Sequence, residues 1–313
     1  MTTLRGKRVL VTGGGGFLGR HVVAALGDED VATIAAPRSQ DFDLRQRESV
    51  DELFEEVRPQ VVFHLAAEVG GIGANRDSPG SFFYSATAMG IHVLEAARLN
   101  GVEKLVLAGT VCSYPRVTSL PFREEALWDG YPEETNAAYG VAKKALLVMA
   151  DAYRQQYGCN FVTLLPTNLY GPGDNFDLAT SHVIPAMIRK FSEAREEGQQ
   201  EVTLWGDGSP TRDFLYVEDC ARAFLLAASK YDGPEPMNIG SGVEVTMAAL
   251  AGEIADRVGF SGRVVWDQGQ PNGQPRRVLD ITRARRHLGF EPRTGFEEGL
   301  CRTIEWYQEQ RPG

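Results

Sequence analysis

Tyr139 and Lys143 lie four residues apart in NAAYGVAKKA, and an i,i+4 pair shares one helix face. An ammonium beside a phenol lowers the phenol's pKa. The tyrosine can then exchange a proton with a carbinol or ketone oxygen, while the lysine also grips a ribose. A Tyr-x-x-x-Lys match alone is a weak signal, because chance matches abound. Here a hydroxyl, Thr110, stands where the strand-like run Lys104 to Gly109 stops, placed to hydrogen-bond the same oxygen. The three residues describe a dehydrogenase site facing a nicotinamide. Two positions past Thr110 comes a thiol, Cys112, in LAGTVCSYPRV, and farther on an imidazole, His182, in TSHVIP. Taken singly, such a cysteine is more often a small buried hydrophobe, and such a histidine a helix-start residue.

A hydride site needs a cofactor cradle. The stretch VTGGGGFLGR carries Gly13, Gly16 and Gly19 in a G-x-x-G-x-x-G spacing, with Phe17 opening a helix. Such a turn lets a pyrophosphate approach bare N–H groups at a positive helix end. Glycine-rich turns are common; placement after the first strand and before the first helix gives this one its weight. At the end of the second strand, Ala35-Ala36-Pro37-Arg38-Ser39 lacks the acid that usually binds a ribose 2′-hydroxyl. Arg38 and Ser39 instead suit a 2′-phosphate, which favours NADP(H) and leaves NAD(H) open; the plain alternative is that Arg38 is a solvated loop residue. Asp43, in FDL, is placed at the adenine end.

The elements that must hold these groups alternate. Strands are expected at Arg8 to Thr12, Val31 to Ala36, Val61 to Ala66, Leu105 to Ala108 and Phe161 to Pro166. Helices are expected at Phe17 to Leu26, Ser49 to Val57, Ser81 to Leu99 and Ala138 to Tyr157. Alternating strands and helices, with strands buried on both faces, mean an α/β fold: a Rossmann-type doubly wound parallel sheet. After Gly171, GPGDNF and WGDGSPTRDF mark long loops. Helices follow at about His182 to Arg195, Glu218 to Ser229, Met247 to Val258 and Phe296 to Gln308. Short strands fit Val202 to Leu204, Met237 to Ile239 and Arg263 to Trp266. This pattern predicts a smaller C-terminal α/β substrate-binding lobe over the strand ends, with the chain returning to the first domain. The expected division is 1–171 plus 213–243 for the dinucleotide, and 172–212 plus 244–313 for the substrate.

The 313 residues are 43% hydrophobic, enough for a large core, and carry a formal net charge of -10. Such a surface repels nucleic acid and anionic membranes, so neither is expected as a partner. The four cysteines, Cys112, Cys159, Cys220 and Cys301, form no C-x-x-C pair, which suggests neither a metal site nor a redox dithiol and fits a reducing cytoplasm. The start MTTLRGKRVLVTG reads as a strand rather than a signal peptide, and no run has the roughly 18 apolar residues of a membrane span.

The glycine loop, the strand-end hydroxyl and the Tyr–Lys pair together resemble the extended short-chain dehydrogenase/reductase superfamily acting on nucleotide sugars. Longer stretches narrow this: HLAAEVGGIGAN (64–75), PTNLYGPGDNF (166–176), SHVIPAMIRKF (181–191), LWGDGSPTRDFLYVED (204–219) and PNGQPRRVLDITR (271–283). These resemble the GDP-L-fucose synthase family, the 3,5-epimerase/4-reductases of GDP-4-keto-6-deoxymannose, over about residues 5 to 310. The resemblance implies that Cys112 is an epimerisation base and His182 its partner acid. Hydrogens at C3 and C5 flank a C4 ketone, so their removal gives an enolate, and inversion needs a base and an acid on opposite faces. Thiol and imidazole have suitable reference pKa values. Related enzymes differ at this place: 4,6-dehydratases carry Asp-Glu after the hydroxyl, 4-epimerases small inert residues, decarboxylases a glutamate. The resemblance further implies substrate contacts from Lys190, Trp205, Arg212 and Arg277, a cofactor wall including Ala66 and Asn168, and a homodimer built on two long helices. Trp205 also has a core reading.

The match departs in places. Thr110 and Val111 replace smaller polar residues, and Lys190 stands where arginine is more frequent. Gly15 stands where an arginine often reaches the phosphates, which weakens the NADP reading. Ala86 and His92 replace asparagines near the active-site wall and would leave room for another sugar, such as a different GDP-4-keto hexose or a heptose. The rival expectations are an enzyme that only epimerises or only reduces a related nucleotide sugar, and a catalytically silent NADP-binding regulator.

Overall fold

The computed structural model describes residues 3–310 apart from 69, 71, 72, 74–76 and 271. Parts of the 64–75 and 271–283 stretches therefore lie outside the described residues. The β-branched runs form β1 (Arg8–Thr12), β2 (Thr33–Ala35), β3 (Val61–His64), β4 (Lys104–Ala108), β5 (Phe161–Pro166) and β9 (Met237–Ile239) of one six-stranded sheet, in the order β2-β1-β3-β4-β5-β9. All five neighbouring pairs are parallel. Alternate residues of β1 explain the two layers. Val9 and Val11 enter a core with α1 (Phe17–Gly27) and α6 (Val217–Lys230). Leu10 enters another with α2 (Arg47–Val57), α3 (Pro79–Leu99) and α4 (Ala137–Tyr157). Apart from the edge strand β2, the strands are buried on both faces, as a sheet sandwiched between helices requires.

The second lobe has its own core, built from α5 (Val183–Glu196), α7 (Met247–Val258), α9 (Phe296–Glu309) and β7 (Glu201–Trp205). β7 pairs in parallel with β11 (Arg263–Asp267). A three-stranded sheet joins the lobes: β8 (Thr211–Tyr216) lies between β6 (Asn168–Tyr170) and β10 (Glu244–Thr246).

Sequence patterning missed β6, β8, β10 and α8 (Thr282–Leu288). Three-residue strands carry no readable period, and β8 begins with polar Thr-Arg-Asp, which reads as loop. β2 is shorter than its run, and β3 ends at His64, which leaves Ala66 just past the strand end.

Candidate active site

The chain leaves β1 for β2 on one side and returns to β3 on the other. The strand ends at this reversal open a crevice, where sheets of this kind take ligands. A cavity of about 1000 Å³ occupies it and runs on into the second lobe. Every residue given a catalytic, cofactor or substrate role from the sequence lines this one cavity.

At its β1 end, Gly13 adopts φ +73°, and a Cβ there would come within 2.7 Å of the Ala66 nitrogen. A Cβ on Gly19 would meet the Gly13 carbonyl oxygen at 2.0 Å. Both positions therefore demand glycine. Gly16 caps α1, and Gly15 has nothing within 4 Å of its would-be Cβ, so the loop is open at a helix N-terminus, although the Gly14 and Gly16 N–H groups donate to the Val11 and Gly13 carbonyls. This cradle fits a dinucleotide pyrophosphate. Arg38 and Ser39 are exposed at the cavity's edge. Asp43 is gripped by Arg45, at 2.9 Å from both Nε and Nη2, and that bond lowers its pKa. Asn168 donates to the Asp213 carbonyl at 3.0 Å.

Past β4, Thr110 caps a single 3-10 turn, Val111–Ser113, by accepting the Cys112 N–H at 3.2 Å. That bond uses the oxygen lone pair and leaves the Thr110 O–H free to donate. Helix α4 is pressed onto this turn. Ser113 donates to the Gly140 carbonyl at 3.0 Å, and a Cβ on Gly140 would sit 2.4 Å from the Cys112 carbonyl oxygen. This contact holds the thiol beside Tyr139, the residue before Gly140. One turn on, Lys143 is buried, with its ammonium 5.8 Å from the Tyr139 ring and donating to the Ala108 carbonyl at 2.9 Å. Burial lowers its pKa to about 8. Burial raises that of Tyr139, and the nearby Cys112 sulfur adds to the effect. The phenol is thus held protonated, which corrects the expected lowering by the lysine: burial outweighs the ammonium, whose nitrogen lies 5.8 Å from the ring. Beneath them, His64 is fully buried, with Nδ1 2.7 Å from the Thr12 hydroxyl, and burial first, then Lys143, lower its pKa to about 3.

From the second lobe, His182 occupies the N-cap position of α5, yet its side chain caps nothing. The residue is exposed and lines the cavity, where the walls take enough water from the ring to lower its pKa. Lys190 donates to the Thr203 carbonyl at 3.1 Å, and burial lowers its pKa. Trp205 is 50% exposed, which removes the core reading. Arg212 donates to the carbonyls of Thr211 and Gln274 at 2.7 and 2.6 Å. Burial, then repulsion from Arg277, lowers its pKa to about 9. Arg277 is buried, with Nη1 3.9 Å from the Cys112 sulfur. A half-buried guanidinium beside a buried one at the cavity wall forms a place for an anion.

The expectation for Ala86 and His92 is corrected. Neither lines the cavity; Met89 is the α3 residue that does. Ala86 is buried in α3, and His92 turns its Nδ1 to the Leu44 carbonyl at 3.1 Å. Sequence reasoning missed Gln274, Thr167 and Ser181 in the lining. All three fall inside or beside the resembling stretches, but polar residues in loops give no spacing signal.

The model of the NAD dependent epimerase/dehydratase family matches residues 9–240. A GDP-L-fucose synthase of Sinorhizobium fredii is 43% identical over 305 residues, covering 97% of this chain and 96% of the relative. A crystal structure of a GDP-L-fucose synthetase from Naegleria fowleri bound to NADP is 32% identical, with a TM-score of 0.90 over 98% of this chain and 95% of that one. A GDP-6-OMe-4-keto-L-xylo-heptose reductase from Campylobacter jejuni is 27% identical, with a TM-score of 0.92 over 99% of both chains.

Proposed function

The chain belongs to the NAD dependent epimerase/dehydratase family, and on that premise we propose that it catalyses NADPH-dependent 3,5-epimerisation and 4-reduction of a GDP-4-keto-6-deoxy sugar, yielding GDP-L-fucose. The observation that carries this is the joining of Cys112 to the Tyr139–Lys143 pair through the contact of α4 with the strand-end turn. One cavity then offers a thiol for proton removal and a phenol for proton delivery. Relatives named for this activity support the choice of sugar.

The side chains divide the work. Cys112 takes a proton from the carbon beside the ketone, and His182 returns one to the opposite face, at C3 and again at C5. Thr110, whose oxygen already accepts the Cys112 N–H, donates its own hydrogen to the C4 oxygen. Tyr139 gives that oxygen its proton. Bound nicotinamide supplies the hydride for C4. Lys143 holds the ribose, and Tyr139, kept protonated by burial, is ready to deliver its proton. Arg212 and Arg277 receive the diphosphate, with Lys190 and Trp205 at the nucleotide. Gly13, Gly16, Phe17, Gly19, Asp43, Ala66 and Asn168 wall the dinucleotide. Arg38 and Ser39 face its 2′-phosphate, which favours NADP(H) over NAD(H).

The same reading assigns 1–171 plus 213–243 to the cofactor and 172–212 plus 244–313 to the sugar. It also makes the protein a homodimer in a reducing cytoplasm. The outward faces of α3 and α4 leave Tyr84 60% and Val148 51% exposed, with Phe83 and Ile91 near them, an apolar area suited to a second copy. No helix among the described residues is long and apolar enough to cross a membrane. The heptose reductase likeness sustains one rival, a 4-reductase of a related sugar.

Incubation with GDP-4-keto-6-deoxymannose and NADPH in deuterated water separates the two readings. NADPH consumption with deuterium at C3 and C5 is the expected result. Reduction without deuterium there would leave a plain reductase, and no turnover would point to another sugar.

A further inference from the structure

Residues 272–283 run from the second lobe back across the strand-end turn and tie the two together. Phe122 donates to the Val278 carbonyl at 2.8 Å, and Asp280 to the Phe122 carbonyl at 2.9 Å. Within this strap Gln274 is 6% exposed and every polar group of its side chain is occupied. Its Oε1 accepts the Arg277 Nε–H at 3.1 Å. Its Nε2 donates to the Arg116 carbonyl at 3.0 Å and to the Pro115 carbonyl at 3.4 Å, three residues past the thiol. Its own carbonyl accepts Arg212 at 2.6 Å. One amide thus bridges a buried arginine and the loop that carries Cys112. Arg277 Nη1 in turn lies 3.9 Å from the Cys112 sulfur, at the long end of what a sulfur acceptor allows.

We propose that Gln274 is the positioning residue for the thiol: by fixing Arg277 against Cys112 it assigns that arginine to the sulfur as well as to the substrate. A guanidinium is planar, and fixing Nε leaves the Nη fork only one direction. An N–H aimed at sulfur stabilises the negative charge the thiol must carry when it acts as a base. No hydrogen bond joins Gln274 to Thr110, Tyr139 or Lys143; its side chain bonds Arg277, Pro115 and Arg116. Loss of Gln274 should therefore weaken proton removal and leave hydride transfer in place. The effect on the sugar rests on the function proposed above; the effect on the thiol does not.

The test compares the full-length protein with Gln274→Met, which keeps the length and loses both polar groups, and Gln274→Glu, which keeps the acceptor for Arg277. Three rates are read: iodoacetamide alkylation of Cys112 by peptide mass, with Cys159 as internal reference; solvent deuterium entry at C3 and C5; and NADP+-dependent oxidation of GDP-L-fucose, which needs only the hydride step. Gln274→Met is expected to slow Cys112 alkylation and deuterium entry about tenfold, the scale of one charge-assisted hydrogen bond. Cys159 alkylation and the kcat of the oxidation at saturating GDP-L-fucose should hold near their original values, while the KM for the sugar rises because Arg277 also receives the diphosphate. Gln274→Glu should recover most of the alkylation rate, a rescue that mere loop support would not give. Unchanged Cys112 alkylation, or an equal fall in exchange and oxidation, would overturn the proposal. If the unsubstituted protein exchanges no deuterium while alkylation still depends on Gln274, the sugar chemistry fails and the positioning role stands.

Discussion

The two ends of the C4–C5 chemistry fall on different side chains, so single substitutions should split the reaction. Tyr139→Phe removes the proton donor and should cut NADPH oxidation roughly 100- to 10,000-fold, while deuterium still enters C3 and C5. Cys112→Ser should do the reverse, losing exchange first. Lys143 gives a prediction of another kind. Burial lowers its pKa to about 8, so below that pH the folded protein holds a costly buried ammonium. The unfolded chain binds more protons than the folded one between about 8 and the ordinary lysine value. Stability should therefore rise with pH across that window. Lys143→Met should melt higher than the unsubstituted protein at pH 7, with the gap closing as pH climbs past 8, yet transfer no hydride. A lower melting point at pH 7 would mean that the Ala108 hydrogen bond outweighs the desolvation.

At the level of elements, the site depends on how closely α4 approaches the turn after β4. Gly140 permits that approach, since any Cβ would strike the Cys112 carbonyl oxygen. Gly140→Ala should cost about 1–3 kcal/mol, the usual penalty of overpacking, read as a lower urea midpoint. It should also slow exchange and reduction together, because the turn carries the thiol and the helix carries the phenol. The parallel sheet, the glycine cradle and the Tyr–Lys face were legible in the sequence because each repeats with a period or fixed spacing. The short strands β6, β8 and β10 were not, because three to six residues with polar ends resemble loop until a neighbour pairs with them. Arg277 was named as a substrate contact from resemblance. Its approach to Cys112 was hidden, because 165 residues separate the two and only the strap closes the distance. His92 was misplaced for the opposite reason: a sequence position on a helix does not reveal which face meets the cavity, and Met89, three residues earlier, takes that face.

For the molecule as a whole, the apolar outer faces of α3 and α4 predict self-association. Tyr84→Glu combined with Val148→Glu should convert a dimer to a monomer in sedimentation without changing the fold, since both side chains already lie at the surface. A monomeric unsubstituted protein would leave those faces to some other use. The strand order has a consequence during synthesis. β5 is complete at Pro166, but β9, its outer neighbour, ends at Ile239. At 5–20 residues per second the ribosome needs roughly 4–15 seconds to cover that interval. Through that time β5 presents a bare row of backbone donors and acceptors on a sheet otherwise ready to close, the kind of edge that recruits another chain. A polypeptide halted between the two strands would keep that edge indefinitely. Nascent chains on one message, spaced closely and carrying the same open edge, are each other's nearest alternative to β9, so the tempo of translation over this stretch bears on how much of the protein ever reaches its finished sheet.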